Sequence, residues 1–460
     1  MDWHYLGHAM WLADLGDVRI LFDPLIDGLH HGGVFEVEPP RSIDVSALRP
    51  DFVVVSHQHS DHFDVPSLRA LAQLDPDTVV MTADTLVEQT ARRLGFRTVV
   101  AVETFSRIDL NGARLASTPS YTGDAVEWGM LVETRHGVAW NQIDSYHPRP
   151  EQVQTTLASA SKIFERDLTE GLALAFVRWQ PVLETQGPLG ERPGFPFEEY
   201  AQALARIAAT RARAVVPAAA GVRQTAPYAF MNHYVYPVPQ RRVLRDLVAR
   251  VPGIRAFPAT IGGTYSVRDG EPGYDPKGAH GLVTVPTGDP GPIATMFRPY
   301  EMPAVVDPNP DGQDETAMRV RVARWMGEDL APALAANWSA MRVRATLRFV
   351  VEVVFPSHVD VFTIAFDAHG ARVSRELDDD FDAMNTIAGS LLVDVIEGRR
   401  QWGDPLLGGM LRAVVRAYDM NEEGLLPATV SPTFLYYAIG YDESVRRATE
   451  WQVKRAMGEG

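Results

Sequence analysis

The stretch Phe52-Val53-Val54-Val55-Ser56-His57-Gln58-His59-Ser60-Asp61-His62 decides how this chain is read. Phe52–Val55 is a continuous apolar run, as expected of a strand buried on both faces. It leads straight into three histidines and an aspartate, in a chain with 13 histidines among 460 residues. Residues two apart in an extended segment point the same way. His57 and His59 are therefore placed to grip one metal ion as a pair. If the chain then turns into a helix, Asp61 and His62 face a second ion beside the first. Neutral imidazoles and a carboxylate suit zinc, iron or manganese rather than calcium or magnesium.

The flanking sequence supplies the expected scaffold. Val18–Phe22 reads as a strand ending at Asp23-Pro24, and Val65–Leu74 has helical spacing. Thr78–Met81, Leu86–Leu94 and Arg97–Val102 repeat a strand–helix–strand rhythm. Arg135-His136-Gly137 reads as a hairpin turn between two apolar strands. A helix is expected from Pro150 to Phe164, a strand over Leu172–Trp179, a helix over Phe197–Ala209 and a strand end at Val215-Val216-Pro217. Residues 1–270 thus predict an α/β metal-binding catalytic domain.

Residues 271–313 are rich in Gly, Pro and Asp and read as a connector. Residues 314–460 predict a smaller α+β accessory domain. Its expected elements are a helix over Ala317–Ala335, strands over Arg344–Phe355 and Val359–Phe366, and helices over Phe381–Glu397 and Pro405–Tyr418.

Composition excludes several classes. The absence of cysteine removes disulfides, a thiol nucleophile, thiolate zinc sites and iron–sulfur clusters from these residues. A net charge of −16 argues against nucleic acid or an anionic membrane as the main partner. No apolar run reaches the roughly 18 residues of a membrane span, and the N-terminus lacks a signal-peptide pattern. A cytoplasmic location is the expectation. An oligomer is compatible with all of this.

The motif His57-x-His59-x-Asp61-His62 after a buried strand resembles the signature of the metallo-β-lactamase superfamily, as do Gly7-His8 and Asp23-Pro24. That resemblance covers residues 1 to about 265. It implies a four-layer αββα sandwich with metals at one edge. It also implies a bridging Asp at a later strand end, where Asp144 stands, so that the ligand set would be His57, His59, Asp61, His62 and Asp144. Two further histidines usual in the family are missing. Thr118–Asp124 contains none, and Ala218-Ala219-Ala220-Gly221 follows Val216-Pro217.

Five local features resemble the metallo-β-lactamase domain of the CMP-N-acetylneuraminate hydroxylases. They are Ser56–Leu68, Asn141–Asp144, the Gly-Phe-Pro at 194–196, Pro217–Gly221 and Ala259–Thr264. In that family a Rieske domain feeds electrons to iron. Residues 314–460 bear a weaker resemblance to sterol-carrier-protein-2-like domains, against the plain alternative of an accessory or dimerisation domain.

Two functions follow. One is a non-haem iron oxygenase, with one or two ions, acting on a small polar or anionic metabolite. Its electrons would come from a ferredoxin–reductase pair, a Rieske-type donor or the substrate. The other is a di-zinc hydrolase of an ester, lactone, amide or phosphoester using metal-activated water. Asp61, Asp144 and Tyr121 are the candidate catalytic groups, with Tyr121 or Asp124 offering oxygen in place of the missing third ligand. His8, His30 and His31, His233 and Arg223 are candidates to support the ligands or meet substrate, and His233 is one stand-in for the missing last ligand. Arg178 is a second candidate anion clamp. His4 lies at the start of the first strands, and His136 and His369 read as solvated turn residues.

Overall fold

In a computed structural model the described residues are 1–121, 127–179, 185–191, 194–218, 221–233, 238–286, 302–341, 346–422, 424–427 and 433–459. Asp124, Ala219 and Ala220 lie outside them. Two large sheets face each other. The first has eight strands in the spatial order Glu271–Asp275, Thr264–Arg268, Asp2–Gly7, Met10–Asp14, Arg19–Phe22, Phe52–Val54, Val79–Thr82 and Val99–Ala101. The second has seven, in the order Arg107–Leu110, Ala113–Pro119, Trp128–Thr134, Gly137–Asn141, Leu174–Arg178, Ala214–Ala218 and Arg255–Ala256.

Apolar side chains of both sheets interdigitate between them. Phe176 of the second sheet packs at a tilt against Trp3 and Trp11 of the first, with ring centroids 4.8 and 4.1 Å apart. Outside the first sheet lie helices Val65–Leu74 and Thr85–Leu94, whose Leu68, Leu71, Val87 and Leu94 join that core. Outside the second lie Pro150–Phe164, Phe197–Ala209 and Gln240–Arg250, whose Leu157, Ile207 and Leu247 pack on Trp140, Val177 and Val215. These are the four layers of an αββα sandwich.

Residues 271–275, at the head of the glycine-rich stretch, form an edge strand antiparallel to Thr264–Arg268. A five-stranded sheet follows, in the order Gly370–Ser374, Val359–Asp367, Leu347–Val354, Ala383–Ala388 and Leu411–Val415. Helices Glu315–Trp325 and Ala331–Asn337 contribute Val322 and Leu334 to its core.

Here the structure departs from helical expectation twice. The segment expected as helix over Phe381–Glu397 is strand over Ala383–Ala388 and helix over Gly389–Ile396. The segment expected as helix over Pro405–Tyr418 is a short helix, Gly403–Leu407, and then a strand, Leu411–Val415. In both, apolar spacing compatible with a helix belongs to a strand: Ala383–Ala388 pairs with Leu347–Val354, which buries Ala383 and Ile387 on one face, and Leu411–Val415 pairs in turn with Ala383–Ala388.

The last helix, Tyr441–Met457, turns back onto helices Val65–Leu74 and Thr85–Leu94, and its Val453 is buried in the core of the first unit. Among the described residues no helix is long and apolar enough to cross a membrane.

Candidate metal centre

The site forms where strands of both sheets end. Asp23 follows strand Arg19–Phe22 with φ 41°, which turns its carboxylate under the neighbouring strand end. There it accepts hydrogen bonds from the Ser56 backbone N–H (2.8 Å) and from Ser56 Oγ (3.0 Å). A carboxylate only accepts, so His62 Nδ1, 2.9 Å from Asp23 Oδ2, must carry the proton. His62 Nε2 is thereby aimed at Asp144 Oδ2 (3.0 Å) and Asp61 Oδ2 (3.3 Å). Ser56 Oγ, already donating to Asp23, accepts from His57 Nδ1 at 2.9 Å. His57 Nε2 then faces His59 Nδ1 at 2.8 Å.

The backbone turn is closed by His59, whose carbonyl accepts from the N–H groups of His62 and Phe63. Helix Val65–Leu74 starts immediately after, capped by Asp64. On the opposite side His8 sits with φ 52° in the tight hairpin after Gly7. Gly7 has φ 114°, and a Cβ there would meet Val37 at 2.8 Å and Arg41 at 2.9 Å, so only glycine fits. This hairpin delivers His8 Nε2 to Asp61 Oδ2 at 2.9 Å. Asp144 arrives from the second sheet, past the end of Gly137–Asn141, and Arg178 Nη1 donates to its backbone carbonyl at 3.3 Å.

Three groups of metal-ligating atoms converge among the described residues: His57–His59–Glu127, His57–His62–Asp144 and His8–Asp61–His62. Glu127 was not singled out from the sequence. It stands immediately before strand Trp128–Thr134, whose first residue pairs with Pro119, and its Oε2 accepts from Ser120 Oγ at 3.0 Å. A carboxylate opening the strand after the histidine-free Thr118–Asp124 segment was the available signal. It sits three residues beyond that segment.

Burial, with His62 and His59 alongside, holds the His57 imidazole well below its ordinary range. Burial works against charge on His62 too. Asp61, Asp144 and Asp23 around it nevertheless push it well above the ordinary imidazole value. Asp61 is raised by burial, yet His62 and His8 beside it hold it well below the usual carboxylate range. Asp144 is lowered likewise, by His62 and Arg178 against its burial. Imidazole nitrogens and ionised carboxylates collected in a buried cluster are a donor set that fits iron, zinc or manganese.

The remaining candidates fall in different places. His30 and His31 are buried beside His8, with their Nδ1 atoms 2.8 Å apart and the His30 and His8 rings 5.8 Å apart. Burial lowers His31 to about 4 and His30 well below its ordinary value. Tyr121 is 37% exposed, with its hydroxyl 3.5 Å from Thr156 Oγ1. His233 ends the 3-10 helix Tyr228–His233 and belongs to none of the three ligand groups. Arg223 pairs with Glu36 at 2.5 Å and Glu38 at 3.1 Å. His4 bonds Thr264 Oγ1 at 2.7 Å.

A cavity of about 790 Å³ is lined by none of the candidate metal ligands. It is lined by Trp179, Pro217, Gly221 and Ile261, with Lys277 and His280 also on its wall.

Residues 3–144, from the first strand to Asp144, match the sequence profile of the β-lactamase superfamily domain. The αββα sandwich of the first unit is the fold expected from the metallo-β-lactamase resemblance of these residues. Over 83 residues the chain is 37% identical to the cytidine monophosphate-N-acetylneuraminic acid hydroxylase of Cricetulus griseus. That stretch is 18% of this chain and spans 15% of the relative's length. Among solved structures, the chain is similar to CmlA, a diiron β-hydroxylase from Streptomyces venezuelae. That pair has 16% identity and a TM-score of 0.38, covering 55% of this chain and 52% of the other. It is also similar to an isothiocyanate hydrolase from Delia radicum gut bacteria. There the identity is 12% and the TM-score 0.39, covering 58% of this chain and all of the other.

Proposed function

We propose that this chain is a non-haem iron oxygenase acting on a small polar or anionic metabolite. The observation that carries the reading is the 37% identity over 83 residues to a hydroxylase, taken with the group His57–His59–Glu127. Two imidazoles and one carboxylate that leave coordination positions open can hold the iron of a non-haem oxygenase, and the same donors can hold catalytic zinc, so the similarity to the hydroxylase is what favours iron. His57, His59 and Glu127 would hold one ion, and Asp61, His62 and Asp144 a second. Iron bound there would supply dioxygen activation.

The chain's own groups do the rest. His8 Nε2 donates to Asp61 Oδ2 and so orients a ligand. Asp23 keeps the His62 proton on Nδ1, which leaves Nε2 for a metal. The similarity to a hydroxylase over 83 residues agrees with this reading.

With no cysteine, these 460 residues cannot hold a Rieske cluster. Reducing equivalents would come from a ferredoxin–reductase pair, from a separate Rieske-type donor, or from the substrate. Residues 314–460 would be an accessory domain.

Metal content of the purified chain, together with product analysis under ¹⁸O₂ and in H₂¹⁸O, tests the proposal. Near-stoichiometric iron and label from dioxygen are expected. Two zinc ions, and anaerobic turnover that places solvent oxygen in the product, would establish a hydrolase instead.

A further inference from the structure

The turn Glu397–Trp402, between helices Gly389–Ile396 and Gly403–Leu407 of the second unit, lies against the metal centre of the first. Its own frame is tightly held. Buried Asp394 accepts from Arg399 Nε at 2.8 Å, Arg400 Nε at 3.0 Å and Gln313 Nε2 at 3.1 Å. Trp402, fully buried, donates from Nε1 to the Ile439 carbonyl at 2.7 Å. Two side chains leave this frame for the other unit. Gln401 Nε2 donates to Ser60 Oγ, and Ser60 sits between His59 and Asp61. Arg400 Nη1 donates to the Gly32 carbonyl at 2.7 Å, immediately after His31.

The fit at Gly32 is close. Its φ is +59°, and a Cβ there would lie 2.0 Å from Arg400 Nη1 and 3.0 Å from Asp404 Oδ2. Gln401 Oε1 and Asp404 Oδ1 are buried in the same wall without a hydrogen-bond partner. Unsatisfied buried polar atoms cost stability, and they concentrate where a structure serves something besides its own folding.

We propose that Gln401, with Arg400 beside it, is a positioning residue of the metal centre, so that the second unit sets the geometry of the ligands His59 and Asp61. The physical reason is the reach of the contact. Ser60 is the hinge residue between two ligands, and fixing its hydroxyl fixes the turn on which both are carried. Arg400 does the same for the loop that seats His30 and His31 against His8. The inference rests on His57–His62 being a metal motif. It does not depend on which metal is bound or which reaction follows.

The test is cobalt(II) titration of the full chain, read by the d–d absorption band, for the wild type, Gln401→Leu, Ser60→Ala and the double variant. Groups that orient metal ligands typically change affinity about 10- to 100-fold when removed. Each single variant should weaken cobalt binding about tenfold and shift the band. The double variant should lose no more than either, since one contact is removed twice. The metal-free melting temperature should stay near wild type. Unchanged affinity and spectrum in both single variants, or losses that simply add, would overturn the proposal. Should Gln401→Leu fail to fold, Ser60→Ala decides alone, because it removes one hydroxyl from the far side of the contact. A wild-type chain that takes up no cobalt would overturn the metal reading itself, a result distinct from wild-type behaviour of the variants.

Discussion

Asp23 and His62 form a wholly buried pair, with His62 Nδ1 donating to Asp23 Oδ2 at 2.9 Å and neither side chain exposed. Asp23 accepts from Ser56 as well, through both its backbone N–H and its hydroxyl. An asparagine there would turn an NH₂ group toward one of these donors. Asp23→Asn should therefore weaken metal binding by about 10- to 100-fold and cost about 1–3 kcal/mol of stability from the mismatched buried donor. Calorimetric metal titration with chemical denaturation checks both figures. Wild-type affinity would mean that His62 is held by something other than Asp23.

Glu127 is the residue through which the proposed metal preference of this site is tested. Glu127→Ala should remove the ion held with His57 and His59 and abolish turnover. Glu127→His replaces a hard oxygen donor with a third imidazole and should raise the zinc-to-iron ratio of protein grown in equal amounts of both. Elemental analysis of the purified variants is the measurement. If metal content is indifferent to both changes, Glu127 is not a ligand.

His147 gives a pH dependence with a definite sign. Burial lowers its imidazole to about 4 from the ordinary 6.5, and its Nε2 lies 3.1 Å from Thr156 Oγ1. The unfolded chain takes up this proton near 6.5 while the folded chain resists it. Stability from this group is therefore full above about 6.5 and falls with the pH down to about 4, at no more than about 1.4 kcal/mol per pH unit. In His147→Gln the unfolding free energy should fall less steeply than wild type between these limits. Parallel curves over pH 4–6.5 would show that His147 titrates normally.

The closing helix Tyr441–Met457 bears on the first unit directly. Val453 is 1% exposed and lies in the same core as Leu68, Leu71 and Val87. Glu450 also pairs with Arg93. Val453→Ala should destabilise the metal-binding unit by about 2 kcal/mol. A fragment ending at residue 286, which lacks the whole helix, should melt lower and become sensitive to protease around residues 65–94. Thermal melts and limited proteolysis of both proteins test this. A fragment as stable as the full chain would mean that the helix contributes no support.

Much of the site was legible because its chemistry is local. His57, His59, Asp61 and His62 lie within six residues of one another, and their roles follow from strand alternation and the turn after it. Asp144 was legible through its resemblance to a strand-end position. Glu127 was not, since nothing in a lone glutamate announces a partner 68 residues away in sequence. The approach of Gln401 to Ser60 was invisible for the same reason. The helices expected at Phe381–Glu397 and Pro405–Tyr418 failed on a different ground. Short apolar runs fit either period until a neighbouring strand decides between them.

The sequence by itself determined the strand–helix rhythm of the first unit and the histidine cluster at its strand mouth, and the resemblance carried by those residues implied the sandwich. The rhythm and the cluster arise from short-range patterns, namely a buried apolar strand, helical spacing and histidines two apart. Only the tertiary structure decided which carboxylate joins His57 and His59, which buried aspartate holds the His62 proton, and that the second unit closes back over the first. Those outcomes depend on distances between side chains far apart along the chain. Packing of the whole molecule sets such distances, and no local preference encodes them.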